Sequence, residues 1–213
     1  MDIKKQMDDI YGVMALDEIP WNLRQPPWLL VELVESGSLL PCDAVDLGCG
    51  AGNQAVWLAK RGFEMTCVDI SPKAIEHAEA LAAEAGIECR FVSADLTKEM
   101  EDFDLRFDFA YDWEVLHHIF PPDRERYAAN VHRMLRPGGR YLSVCFGEQD
   151  FAAFEGEGKY RKTPLGTTLY FSSLDEIREL FDPLFIIDDL RIVEIAGKYQ
   201  PHMAIMALMK KKE

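Results

Sequence analysis

The sequence predicts an α/β fold: a mostly parallel sheet of seven strands, its last strand antiparallel, with helices on both faces. Three observations predict it. From residue 43 onward, short apolar runs alternate with amphipathic stretches, and a parallel strand pair needs a crossover of that kind. Glycines and prolines mark the ends of the runs. The last two runs are separated only by the few residues from Gly197 to Pro201, which suits an antiparallel hairpin. A chain of 213 residues can bury one substantial core, so residues 1–213 read as a single domain. Residues 1–38 form an N-terminal helical extension or cap, and no internal repeat or linker is visible.

Residues 3–16 carry Ile3, Met7, Ile10, Tyr11 and Met14 at helical spacing, hence an amphipathic helix. Ile19 to Trp28, rich in proline and tryptophan, is an ordered loop. A helix from Trp28 to Glu35 stops at Gly37. Ala44–Leu47 is a short buried strand, Asn53–Arg61 a helix ended by Gly62, and Glu64–Asp69 the second strand. Ser71 caps the next helix and Pro72 opens it, since an N1 proline lacks only an N–H that would find no helical partner. Its buried stripe is Ile75, Ala78, Ala82 and Ala85, and Gly86 ends it. Cys89–Val92 and Phe107–Tyr111 are the third and fourth strands. Pro122–Arg136 is helical, and Gly138-Gly139 separates it from a fifth strand, Arg140–Phe146. Ser173 and Glu176 form a capping box opening the last helix. Strands near 184–194 and 202–209 complete the pattern.

The net charge is −14. Such a surface repels phosphate backbones and anionic lipid heads, so nucleic acid and membrane are not expected partners. No apolar run is long enough to span a bilayer, and residues 1–9 lack the apolar core of a signal peptide. The five cysteines, Cys42, Cys49, Cys67, Cys89 and Cys145, form no CxxC pair. A reducing, cytoplasmic location and no metal site are expected.

The most informative segment is Val45-Asp46-Leu47-Gly48-Cys49-Gly50-Ala51-Gly52-Asn53, a strand running into a glycine loop with a helix behind it. Small residues let a ligand approach the backbone, and a helix start offers N–H groups. Asp69, seventeen residues after Gly52, ends the second strand, where a carboxylate can accept both hydroxyls of an adenosine ribose. The rival reading is a dinucleotide-dependent dehydrogenase. Its fingerprint is GxGxxG, whereas this loop is GxGxG with Asn53 next.

Asp46–Gly52 with Val68-Asp69-Ile70-Ser71 resembles the class I S-adenosylmethionine-dependent methyltransferases. Phe107–Asp112 and Leu135-Arg136-Pro137-Gly138-Gly139-Arg140 agree with that resemblance. It implies a Rossmann-like sheet, S-adenosylmethionine as cofactor and S-adenosylhomocysteine as product. It also implies residue roles. Gly48, Cys49 and Gly50 approach the methionine part, and Asp46 helps hold its amino group. Asp69, with Ile70 beside it, takes the ribose. Ala94, Asp95 and Leu96 meet the adenine, and Asp112 and Trp113 line the methionine end. Pro20-Trp21-Asn22 with Gln25-Pro26, and Asp123–Tyr127, are similar to the thiopurine and thiol methyltransferases. There the tryptophan segment folds over the cofactor, which implies that Trp21 shields the methyl sulfonium. Asn22 and Arg24 depart from that group's Asp and Gly. Val115–Ile119 resembles other small-molecule methyltransferases.

The expected activity is methyl transfer to a small-molecule acceptor, a thiol being favoured. The alternatives are carbon, oxygen or nitrogen of another small molecule or a protein, or cofactor binding without catalysis. Transfer from a sulfonium needs alignment more than acid–base chemistry. The candidate bases are His117, His118 and Glu114, just beyond the fourth strand, where ligands gather in such sheets. Residues 147–171, with Phe151, Phe154, Tyr160, Tyr170 and Phe171, read as a substrate lid or as a hairpin packed on the sheet. A monomer and a homodimer are both compatible with the sequence.

Overall fold

A computed structural model of the chain describes residues 2–150, 154–156 and 158–213. They form two compact units, Met1–Asp95 and Leu96–Glu213. The first contains α1 (Ile3–Val13), α2 (Trp28–Glu35), β1 (Asp43–Leu47), α3 (Asn53–Ala59), β2 (Glu64–Asp69), α4 (Pro72–Ala85) and β3 (Arg90–Ser93). β1 pairs with β2, and β2 with β3, both in parallel. Val45, Leu47, Cys67 and Val68 are fully buried, as expected of strands covered on both faces. The Ser71 hydroxyl accepts from the Ala74 N–H at 3.1 Å at the start of α4, and Gly86 ends it in the left-handed conformation.

α1 is held to this core by polar contacts as well as by its buried face of Met7, Ile10 and Tyr11. Asp8 Oδ1 accepts from Ser71 Oγ at 2.9 Å and from the Lys73 N–H at 3.0 Å, which ties α1 to the first turn of α4. His77 Nε2 lies 3.0 Å from the Tyr11 carbonyl.

The second unit contains β4 (Phe107–Trp113), a 3-10 turn at Leu116–His118, α5 (Pro121–Met134), β5 (Leu135–Phe146), β6 (Tyr160–Lys162), β7 (Thr168–Tyr170), α6 (Leu174–Phe181), β8 (Phe185–Ile195) and β9 (His202–Lys211). β4 and β5 are parallel, and β9 is antiparallel to both β5 and β8. Tyr127, Tyr141, Phe109, Phe171, Phe181 and Phe185 fill the core. To the seven-stranded sheet the first unit gives β3-β2-β1 and the second β4-β5-β9-β8. The mostly parallel sheet with an antiparallel last strand is the predicted fold class.

The start of β5 differs from expectation. β5 begins at Leu135, directly after α5, and not at Arg140. Leu135 pairs with Phe107 and Arg140 with Phe109, so a register shift absorbs Gly138-Gly139 as a bend within the strand. Residues 147–171 contain the antiparallel hairpin β6–β7, the alternative to an irregular lid. Phe151 lies outside the described residues. Among those described, no helix is long and apolar enough to cross a membrane, and no cluster of three metal-ligating side chains occurs.

Candidate functional site

The glycine loop follows β1 in the first unit. Gly48, Gly50 and Gly52 have φ of +82°, +53° and +81°, a region that side chains with a Cβ seldom adopt. The Gly48 and Cys49 N–H groups both donate to the Val68 carbonyl, at 2.7 and 3.0 Å, so the loop is pinned to the end of β2. At that end stands Asp69. Its Oδ2 accepts from the Gly50 N–H at 2.9 Å and its Oδ1 from the Ser71 N–H at 2.9 Å. Burial raises the carboxyl pKa, and the backbone donors pull it partly back.

Tyr11 of α1 reaches the same loop. A Cβ on Gly50 would stand 2.6 Å from the Tyr11 hydroxyl, so only glycine fits beneath it. That hydroxyl accepts from Trp21 Nε1 at 2.9 Å, and the two rings meet edge to face. Burial, with the Asp69 charge nearby, pushes the Tyr11 phenol well above its ordinary pKa and keeps it protonated. Asn53, opening α3, donates to Asn22 Oδ1 at 2.7 Å, so the Trp21 segment is anchored on both sides. The structure thus brings Trp21, Gly48, Cys49, Gly50 and Asp69 together. Asp46 is buried at the end of β1, Ile70 is half-buried, and the Ala94 N–H donates to the Asp69 carbonyl at 2.9 Å. The residues fit an adenosyl group. Gly48 and Gly50 leave loop backbone partly exposed, and the carboxylate beside it has about four acceptor positions, two of them taken by the Gly50 and Ser71 N–H groups.

Asp95, half-buried, is the last residue of the first unit, and the remaining predicted residues lie in the second. The Leu96 carbonyl accepts from Asn130 Nδ2 at 2.9 Å, which fixes the chain after Asp95. Asp112 is fully buried. Its Oδ2 accepts from Tyr127 at 2.9 Å and, in a very short bond, from Tyr141. Oδ1 makes no hydrogen bond of good geometry, although Ser143 and the Leu116 N–H are near enough to favour the charge. Burial outweighs these donors and pushes the acid up to about 6. Its side chain is thus engaged in a buried tyrosine network, not laid open at the end of β4. Trp113 is half-buried.

Glu114 adopts φ +65°, rare for a residue with a Cβ, and its N–H donates to the Val144 carbonyl at 2.8 Å. The residue is half-buried, but its carboxyl sits deep among protein atoms, and that burial pushes it up to about 7. His117 Nδ1 accepts the Phe146 N–H at 3.3 Å, and its ring stacks on Phe146. Nε2 then carries the proton in the neutral ring, so neither nitrogen is available as a base. Burial pushes His118 down to about 4.

Arg124 of α5 braces this turn. Its buried guanidinium donates to the Ile119 and Leu116 carbonyls, at 2.7 and 3.1 Å, and to Ser172 Oγ at 2.8 Å. Neither Arg124 nor Tyr11 is singled out by the sequence. Tyr11 sits at helical apolar spacing, and Arg124 enters the sequence only as one residue of the Asp123–Tyr127 likeness.

Comparison with known proteins agrees with this geometry. A family model described as a methyltransferase domain matches residues 44–139. A 2-heptyl-1-hydroxyquinolin-4(1H)-one methyltransferase of Mycobacteroides abscessus is 31% identical over 174 residues, covering 80% of this chain and 70% of that protein. A probable thiol methyltransferase 2 of Arabidopsis thaliana is 30% identical over 131 residues, covering 60% of this chain and 56% of that protein. A solved structure concerned with conversion of a disulfide bond into a thioacetal group during echinomycin biosynthesis superposes with a TM-score of 0.83. It is 23% identical, covers 99% of this chain and 92% of that one, and speaks for the fold alone. With the family's glycine loop and acid in place, and a relative above 30% identity spanned over more than two thirds of its length, the chain belongs to the class I S-adenosylmethionine-dependent methyltransferases.

Proposed function

We propose that this methyltransferase acts on a small, largely apolar molecule and methylates it at oxygen or sulfur. The observation that carries the cofactor half is the loop pinned to Asp69 beneath Tyr11. Bound S-adenosylmethionine supplies a methyl group on a positively charged sulfur. The chain's own residues bind, orient and exclude water. Asp69 takes the ribose hydroxyls, Gly48, Cys49 and Gly50 let the methionine part approach, and Asp46 helps hold its amino group. Ile70, Ala94, Asp95 and Leu96 surround the base. Trp21, locked by Tyr11, shields the sulfonium. Asp112 serves mainly to brace β4, with Trp113 beyond it.

The acceptor half is supported by the aromatic cluster at the end of β5, in which Phe154 is partly exposed over the buried Phe146 and Phe171. Phe146, Phe154 and Phe171 have ring centroids 5.4–5.9 Å apart. The two relatives named for a hydroxyquinolone and for thiols favour oxygen and sulfur over carbon and nitrogen. Of the candidates after β4, Glu114 faces the acceptor and orients it by a hydrogen bond, because its carboxyl holds a proton near neutrality. His117 and His118 shape the turn. The β6–β7 hairpin closes over the acceptor and sets substrate choice. The acidic charge keeps nucleic acid and anionic membranes away, in keeping with a cytoplasmic enzyme working as a monomer or homodimer.

Calorimetric titration with S-adenosylmethionine, S-adenosylhomocysteine and NADH, on wild type and Asp69→Ala, tests the reading. Adenosyl binding lost in the variant and absent for NADH is expected. Labelled cofactor with a panel of thiols, phenols and amines then identifies the acceptor atom. Preference for NADH, or methylation of amines alone, overturns the reading.

A further inference from the structure

We propose that His202, held by Asp150, takes the proton from the methyl acceptor, and that the acceptor carries its O–H or S–H on an aromatic ring. This rests on the methyl-transfer reading above. His202 Nδ1 lies 2.8 Å from Asp150 Oδ2. The Asp150 side chain is 3% exposed and that of His202 15%. A carboxylate can only accept, so the hydrogen lies on Nδ1 and the neutral ring presents Nε2 as an acceptor. A carboxylate behind an imidazole also stabilises the cation formed when Nε2 is protonated.

The pair is also in the right place. His202 opens β9, and β9 runs antiparallel to β5 with Ala204 opposite Phe146. Its start therefore lies beside the carboxyl end of β5, the end at which sheets of this type bind ligands. The ring packs on Phe146 at 4.7 Å and on Phe154 at 5.7 Å; Phe146 and Phe171 are buried, so the partly exposed rings of His202 and Phe154 are those left for a flat aromatic molecule to meet. Gly197 passes over the Nε2 edge, and a Cβ there would stand 2.8 Å from Nε2. A side chain at 197 would collide with the ring, so glycine lets the backbone pass against that edge. Arg161 holds the loop that carries Asp150 by donating to the Asp150 and Glu148 carbonyls. Among the described residues, Glu114 and His117 are titratable groups within electrostatic reach of the ring.

In the step, the acceptor's O–H or S–H bond breaks and its proton passes to His202 Nε2. The lone pair left on oxygen or sulfur forms the bond to the methyl carbon, and the methyl–sulfonium bond breaks with its electron pair returning to that sulfur. The proton then leaves His202 for water, so one proton and one thioether appear per methylated product.

The test uses the full chain with S-adenosylhomocysteine bound, titrated with 4-nitrophenol and separately with thiophenol. Each is followed by the absorption of its anion at a pH where the free probe is mostly protonated. Wild type is expected to bind at least one probe as the anion, and the responding probe assigns oxygen or sulfur. His202→Gln is expected to bind it in the neutral form. In turnover, that variant should lose about 100-fold or more in kcat/KM for weakly acidic acceptors and little for those already ionised in solution. Asp150→Asn, which keeps the shape, should show the same dependence on acceptor acidity with a smaller loss. Both variants should bind S-adenosylhomocysteine as wild type does. Anion binding retained in His202→Gln, or a loss equal for all acceptors in both variants, overturns the assignment, as does a wild type that binds both probes only as neutral molecules. Failure of wild type to bind S-adenosylhomocysteine sinks the methyl-transfer reading itself.

Discussion

Gly50 concentrates three constraints in one residue. Its φ is +53°, its N–H is given to Asp69, and the space where a Cβ would project is closed by the Tyr11 hydroxyl at 2.6 Å. Gly50→Ala therefore strains the backbone and pushes α1 or the loop aside. A loss of about tenfold or more in S-adenosylhomocysteine affinity is expected by calorimetry, equivalent to about 1.4 kcal/mol. An unchanged affinity would mean that Tyr11 yields freely and that the loop does not meet the cofactor. Some of this was legible in the residues themselves. Asp69 stands at a fixed spacing from the glycines on the next strand, so local order predicts it. Tyr11 lies far away in sequence, and its apolar spacing conceals a polar hydroxyl aimed at the loop.

α6 shows how completely a local rule can determine an element. Ser173 accepts from the Glu176 N–H at 3.3 Å while Glu176 Oε2 accepts from the Ser173 N–H at 2.8 Å. Glu176 does more than the capping box requires. Lys159, just before β6, and Tyr170 in β7 both donate to it, and despite burial these donors bring its carboxyl down to about 2. Ser173→Ala is expected to lower stability by about 1 kcal/mol in denaturant unfolding, the usual worth of such a cap. Because the same carboxylate anchors Lys159, it should also loosen the β6–β7 hairpin, seen as faster amide exchange at residues 160–170. A change confined to α6 would separate the cap from the hairpin. β5 shows the limit of local rules. A glycine pair after a helix reads as a break, and only pairing with β4 turns it into a bend inside a longer strand.

Across the molecule, buried acids set the response to pH. Burial raises Asp69, pushes Asp112 up to about 6 and Glu114 up to about 7. A carboxyl whose folded pKa is raised binds more protons folded than unfolded. Its contribution is fully present below the unfolded value and is lost as pH rises through the folded one. Glu176 and His118 act in the opposite sense, since both are shifted down and lose their contribution as pH falls. Glu114→Gln isolates one member. The stability of wild type relative to this variant should fall between pH 4.5 and about 7 and stay level above that, as read by urea unfolding at a series of pH values. A difference independent of pH would show that the carboxyl is not held protonated.

The sequence by itself determined the alternation of strand and helix, the glycine loop, Asp69 and the caps at Ser71 and Ser173. Each depends on periodicity or on residues within a turn or one strand–helix unit of one another. It also carried the family resemblance, because those motifs recur in order along the chain. Tertiary structure alone decided that Asp112 is buried under two tyrosines, that His117 spends its nitrogen on the Phe146 N–H, and that Asp150 meets His202 across 52 residues. The reason is physical. A side chain's protonation and availability depend on neighbours that chain closure brings together, and nothing in the spacing of residues along the backbone encodes which distant donor will reach it.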